Sequence, residues 1–333
     1  MNGCYNLLNL PEDMGNIKCL RVLNAIGTAL ERLPESIGLL RELTCLHLDA
    51  CKNLTSLPNS ICNLISLEIF NLGYCPRIDI GESAQMWDKS LLNLTRLNLR
   101  DCNLSEKDIP HNLGAFSFLE ELVLRGNNFC SLPTSLGQLS NVLTLDLCGC
   151  RNLQSVQVFP PNLNLLMLND CSSLEKLTLS TLKYLSSMDL KNCSSLVEIL
   201  GLENLYLIRE IHLEGCSSLS TAFTTSLIQG HSRIVHNCAI YFSRMEIPNW
   251  FKYQDTGNSS IYFDVPVDFK HDQLEMTVWA DYSFGKLSDR MRRFKMHITN
   301  ITNDDELTYS FWGSSFEAGS WFVLHRTDSK LSS

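Results

Sequence analysis

Along most of the chain, apolar residues return in one fixed phrase. Leu43 to Leu54 reads L-x-x-L-x-L-x-x-C-x-x-L, and Leu163 to Leu174 repeats it. Leu185 to Leu196 carries Met188 in the fourth place, and Ile208 to Leu219 places isoleucines in the first and fourth. The alternation in Leu46-His47-Leu48 is that of a strand, with leucines to one side and His47 to the other. Leu54 and Leu57 follow at a spacing that closes the coil from the facing wall. One coil cannot cover its own leucines. Stacked coils can, so the pattern predicts an array that grows in one dimension.

The period confirms this reading. The polar place of the phrase steps through Cys4, Thr28, Cys51, Cys75, Cys102, Asn127, Cys150, Cys171, Cys193 and Cys216, at intervals of 21 to 27 residues. That is the leucine-rich repeat, an α/β solenoid with a parallel sheet on its concave face. A small, weakly polar side chain at this place can turn inward and meet backbone groups. The longest interval holds an insertion, Gly81 to Trp87, expected to bulge from the loop or convex side. Leu10-Pro11, Leu33-Pro34, Leu57-Pro58 and Leu132-Pro133 predict short helical turns after the proline. Coils from Cys171 onward are shorter, which predicts tighter and less helical convex walls. Cys4 has no strand phrase or polar cap before it, so the array is expected to have begun upstream of Met1.

Near Thr221 the rhythm stops. The expected organisation is about ten repeats over 1–222, the first one partial, a linker over 223–231, and a second domain over 232–333. In that domain Ser260–Val265, Leu274–Trp279, Phe294–Ile298 and Trp321–His325 read as strands, which predicts an all-β sandwich.

Composition narrows the function classes. A net charge of −9 and a pI near 5.4 argue against nucleic acid or an anionic membrane as the main partner. No run of 18 apolar residues predicts a membrane span, and the N-terminus does not read as a secretory signal. Eight of the 14 cysteines fall on the repeat's polar place, which predicts reduced core thiols rather than disulfides. On that view the sequons at Asn53, Asn93, Asn103, Asn192, Asn258 and Asn300 are chance matches.

A search for reaction chemistry returns nothing. There is no G-x-x-x-x-G-K-[ST] phosphate loop, no G-x-S-x-G elbow and no H-E-x-x-H. His231, His236 and Cys238 fall short of a zinc ligand set. The expectation is a non-enzymatic chain with no catalytic residue, metal or cofactor.

Two features together resemble one family. Phrases such as Leu147-Cys-Gly-Cys150-Arg-Asn-Leu153 look like the repeats of intracellular plant immune receptors of the TIR–nucleotide-binding–leucine-rich-repeat class. Arg244-Met-Glu246-Ile247-Pro248-Asn-Trp250-Phe251, followed by Gly257-Asn-Ser-Ser-Ile261, resembles the signature of their post-repeat domain. This is the C-terminal jelly-roll/Ig-like domain. The resemblance implies that Glu246, Ile247, Pro248, Trp250 and Phe251 form a structural motif of that domain. Arg244-Met245 stands where the family usually has Pro-Gly, and Asn258 is inserted beside the Gly-Ser-Ser. The family's TIR domain and nucleotide switch do not lie in this sequence, so their activities are not assigned to it.

Strand phrases stacked about 4.8 Å apart put the residues between leucines into columns along the concave face. The middle column is Asn24, His47, Asn71, Asn98, Val123, Asp146, Met167, Asp189 and His212. The next is Ile26, Asp49, Gly73, Arg100, Arg125, Cys148, Asn169, Lys191 and Glu214. Candidate ligand-binding residues are His47, Asn71, Arg96, Asn98, Arg100, Val123, Arg125, Asp146, Met167, Asp189, His212 and Glu214. Arg96 is expected to pair with Glu121, which leaves Arg100 and Arg125 for a partner. The resemblance implies a recognition module for a pathogen effector or a guarded host protein. It also implies upstream TIR and nucleotide-binding domains in any longer product, and a cytoplasmic or also nuclear site. The alternative is a truncated decoy or scaffold that binds without signalling. A secreted repeat inhibitor would need a signal peptide and disulfide-bonded caps.

Overall fold

A computed structural model describes residues 2–228, 238–243, 275–282, 292–300, 305–313 and 320–327 of the chain. The expected strand phrases form strands, in chain order β1 (Val22–Asn24), β2 (Cys45–His47), β3 (Ile69–Asn71), β4 (Arg96–Asn98), β5 (Glu121–Val123) and β6 (Thr144–Asp146). Next in chain order are β7 (Ser155–Val156), β8 (Leu165–Met167), β9 (Lys176–Thr178), β10 (Ser187–Asp189), β11 (Glu198–Leu200) and β12 (Glu210–His212), of which β8, β10 and β12 are expected phrases and β7, β9 and β11 are not. Beyond the repeats come β13 (Cys238–Ser243), β14 (Glu275–Tyr282), β15 (Arg292–Asn300), β16 (Asp305–Gly313) and β17 (Ser320–Thr327).

The repeat strands line up in parallel, in the order β1-β2-β3-β4-β5-β6-β8-β10-β12, with no slip in register. Register is fixed by burial. A one-residue slip would turn Leu46 and Phe70, both fully buried, out to solvent. Each such side chain contributes about 2 kcal/mol on burial.

The polar place does what its chemistry allows. Thiols of Cys75, Cys102, Cys171, Cys193 and Cys216 donate to the carbonyls of Leu48, Leu72, Leu147, Leu168 and Leu190, each in the preceding coil, at 3.0–3.2 Å. Asn127 substitutes for a thiol by donating its amide to the Leu99 and Leu124 carbonyls at 2.8 and 2.7 Å. Thr28 turns its hydroxyl to the Ala25 carbonyl at 2.9 Å. Carbonyls left over where the strand ends are thereby satisfied inside the core.

The residue just before this place is left-handed in every coil. Gly3, Gly27, Ala50, Tyr74, Asp101, Gly126, Gly149, Asp170, Asn192 and Gly215 all have positive φ, between 52° and 78°. Glycine, Asn and Asp tolerate this region. Ala50 and Tyr74 do not do so readily.

The convex wall changes along the solenoid. Pro34, Pro58 and Pro133 stand immediately before short 3-10 helices at Glu35–Leu39, Asn59–Asn63 and Thr134–Gln138, as expected. Later coils add strand to this wall: β7, β9 and β11 form a second parallel sheet that the sequence pattern did not reveal, and a 3-10 helix, Leu202–Asn204, follows β11. The insertion folds on the convex side as helix α1 (Gly81–Trp87), with Trp87 fully buried and its ring 5.4 Å from Phe70. Gln85 ties α1 to the next coil through the Lys107 and Ile109 carbonyls and the His111 amide. A buried tryptophan anchors the extra residues, so they thicken the wall instead of looping out.

After β12 comes helix α2 (Thr221–Ile228), which begins at the expected end of the repeats and runs into the expected linker. The parallel sheet then continues into β13, which pairs with β12. Strands β17 and β14 extend the same sheet antiparallel, while β15 and β16 form a separate antiparallel pair. The sheet thus runs across the boundary expected at 232. Glu246, Ile247, Pro248, Trp250 and Phe251 lie outside the described residues.

Candidate functional site

Strand register assembles the middle column as the sequence arranged it: Asn24, His47, Asn71, Asn98, Val123, Asp146, Met167, Asp189 and His212 are successive Cα partners. Tyr241 adds a tenth place, because β13 keeps the register. Its ring stacks on His212 with centroids 4.3 Å apart and planes 6° apart. The repeat phrase itself ends with the His212 coil, and β13 lies beyond the break in the repeat.

Several column residues serve the fold as well as the surface. Oδ1 of Asn24, Asn98, Asp146 and Asp189 accepts the backbone N–H two residues on, at 2.9–3.2 Å. These contacts fix the turn out of the strand. Asn71 donates its amide to His47 Nδ1 at 3.0 Å. Val123 and Met167 are half-buried on the same face.

The flanking columns carry the charge. Arg96 pairs with Glu121 at 3.1 Å, as expected. Arg125 is exposed and forms no ion pair with a described residue. Arg100 likewise forms no ion pair with a described residue, and its guanidinium carbon lies 4.3 Å above the centroid of the Tyr74 ring. Cys148 stands in the expected column but is buried, and its thiol donates to Asn169 Oδ1.

At the C-terminal end the charges interlock. Lys191 Nζ lies 3.8 Å from Glu214 Oε1, and His212 Nδ1 lies 3.5 Å from the same oxygen. His212 Nε2 reaches Glu210 at 3.9 Å. Burial works against a charged His212, but the hydrogen bonds it donates to the Glu210 and Glu214 carboxylates outweigh it and raise its pKa. The same bond to His212 lowers the pKa of Glu210. Asp49 is pushed up by burial, against its own backbone bond and the nearby Arg100.

Buried thiols are held protonated. Desolvation raises Cys102 to about 11 and Cys150 to about 12, and pushes Cys75 and Cys171 higher still. They are structural donors and poor nucleophiles. Among the described residues no group of three His, Cys, Asp or Glu is placed to hold a metal ion. His231 and His236 lie outside the described residues. No described helix is long and apolar enough to cross a membrane.

Residues 1–199 match the family described as disease resistance protein RPS4B-like, leucine-rich repeats. The chain is 27% identical to disease resistance-like protein DSC1 of Arabidopsis thaliana, over 96% of this chain and 26% of the relative. It is 29% identical to TMV resistance protein N of Nicotiana glutinosa, over 49% of this chain and 18% of the relative. The chain thus spans about a quarter or less of the length of these relatives. Among solved structures, the leucine-rich repeat domain of the type III effector XopL has the same fold. Its TM-score is 0.53 at 22% identity, covering 66% of this chain and 75% of that one.

Proposed function

Because the chain belongs to the family of RPS4B-like disease resistance leucine-rich repeats, we propose that its concave face is the recognition surface of a plant immune receptor. The occupant is a protein, either a pathogen effector or a guarded host protein, and the region after the repeats adds to the contact. The chain performs no chemistry of its own. In a longer product, occupancy would release upstream TIR and nucleotide-binding domains. The receptor would act in the cytoplasm, or in the nucleus as well.

The observation that carries this reading is the middle column. The aligned positions present amide, imidazole, aliphatic, carboxylate and thioether groups over a base of buried apolar side chains, and the column ends on the buried Tyr241 ring. Such a mixed, semi-rigid strip matches a protein surface better than a small molecule.

The test is a set of surface substitutions in the full chain, read as affinity for a partner protein obtained from an effector screen. Val123→Lys and Met167→Lys should each weaken binding by about tenfold or more. Leu39→Lys and Met86→Lys, exposed on the convex wall, should leave it unchanged. The opposite pattern would overturn the reading.

A further inference from the structure

At one place on the cysteine ladder, solvent reaches a thiol that has a second thiol beside it. Cys51, Cys75, Cys102, Cys150, Cys171 and Cys193 are buried. Cys4, in the first coil, is exposed, but the next place on the ladder holds Thr28. Cys216 belongs to the last coil of the repeat phrase and is only half-buried. Its neighbour on the ladder is Cys193.

The two coils lie close together at this point. Strands β10 and β12 keep register to Asp189 and His212, and the Asn192 N–H then donates to the Glu214 carbonyl at 2.7 Å. A Cβ placed on Gly215 would sit 3.1 Å from the Asn192 Cα. Cys193 and Cys216 are the next residues on each coil. Neighbouring strands run about 4.8 Å apart, within the Cα separation of about 4.4–6.8 Å that a disulfide spans.

The side chains run the same way. Cys193 donates to the Leu168 carbonyl at 3.1 Å and Cys216 to the Leu190 carbonyl at 3.0 Å. The two thiols also bond to each other, which together with burial raises the pKa of Cys193. Elsewhere on the ladder Thr28 Oγ1 lies 3.3 Å from Cys51 Sγ, so side chains on adjacent places meet tip to tip. Either sulfur can leave its carbonyl without stranding it. Leu168 keeps the Cys171 N–H and Leu190 keeps the Cys193 N–H, both at 3.2 Å.

We infer that Cys193 and Cys216 form a reversible redox site, which a peroxide closes into a disulfide between the last two coils. Oxidation enters at Cys216, the thiol within reach of solvent. Its sulfur attacks one peroxide oxygen, the O–O bond breaks, and the departing oxygen leaves as water with the thiol proton. Cys216 is then a sulfenic acid. The Cys193 sulfur attacks the Cys216 sulfur, the S–O bond breaks, and the Cys193 proton leaves with the hydroxyl as a second water. Two thiols give up two electrons and one peroxide takes them. A dithiol reductant reopens the bond by exchange. The link ties β12, which carries His212, to β10.

The experiment treats the reduced full chain briefly with dilute hydrogen peroxide, blocks free thiols with iodoacetamide, and reads the digest by mass spectrometry without reductant. The expected product is a peptide pair joined through Cys193 and Cys216, lighter by two hydrogens than the separate peptides and released by dithiothreitol. Cys216→Ser should leave Cys193 reduced, and Cys193→Ser should let Cys216 go on to the sulfinic acid. Unmodified chain in which Cys216 reaches the sulfinic acid while Cys193 stays reduced would overturn the inference. So would Cys193 that oxidises as fast in folded Cys216→Ser as in the unmodified chain. A dose that oxidises the exposed Cys19 and leaves both ladder thiols intact would overturn it as well.

Discussion

The Cys75 thiol donates to the Leu48 carbonyl of the preceding coil at 3.2 Å. This bond joins one coil to the next through the core, and it recurs wherever the polar place is cysteine and a preceding coil offers its carbonyl. Cys75→Ala removes this donor and leaves the Leu48 carbonyl with the Cys51 N–H at 3.2 Å. The expected loss is about 0.5–1.5 kcal/mol, read as a lower midpoint in thermal unfolding of the full chain. An unchanged midpoint would show that the thiol is merely a small apolar filler.

Thiol chemistry separates the cysteines by place. Cys51, Cys75, Cys102, Cys150, Cys171 and Cys193 are buried, and desolvation raises the pKa of Cys75, Cys102, Cys150 and Cys171. Cys4 and Cys19 are exposed. Brief alkylation of the native chain, read by peptide mass spectrometry, should label Cys4 and Cys19 while sparing the six buried thiols. Labelling of Cys75 at the rate of Cys19 would contradict the ladder.

Gly126 tests the left-handed column. Its φ is +68°, and a Cβ there would meet Asp101 Oδ1 at 2.1 Å. Gly126→Ala should destabilise the solenoid by about 1–2 kcal/mol, measured against the unmodified chain in urea. A neutral result would mean that the turn can relax.

The His212 cluster sets a pH dependence. Its pKa is raised in the fold, so its contribution to stability is fully present below the unfolded value near 6.5 and is lost as pH rises through the folded value. Glu210 is lowered, so its share is present above its unfolded value and lost as pH falls through the folded one. The gap in melting temperature between the unmodified chain and His212→Asn should therefore be larger near about pH 6 than near about pH 8. A gap that grows with rising pH would reverse the assignment.

The repeats were legible because their physics is local. Leu46 and Leu48 state the strand, Cys51 states the turn, and the near-constant interval states the stacking. The same regularity aligned His47 with Asn71 before any coordinates. The left-handed column is also written in the sequence, as Gly, Asp or Asn before most of the polar places. Other features depend on packing between coils. Strands β7, β9 and β11 form by pairing with one another on the far wall, Trp87 gives no local sign that it anchors a wall, and Tyr241 follows a break in the repeat. The stacking of Arg100 leaves no local sign either, because the ring beneath it belongs to another coil.

The most direct test of the central claim is hydroxyl-radical footprinting of the full chain with and without a bound partner protein. His47 and Met167 stand in the middle column, the exposed Tyr74 lies under Arg100 where the chain leaves β3, and Met86, 49% exposed, sits on the convex wall. Protection of His47, Tyr74 and Met167 with Met86 still oxidised is the predicted result. Protection of Met86 with the concave residues unchanged would place the partner on the other wall and contradict the account.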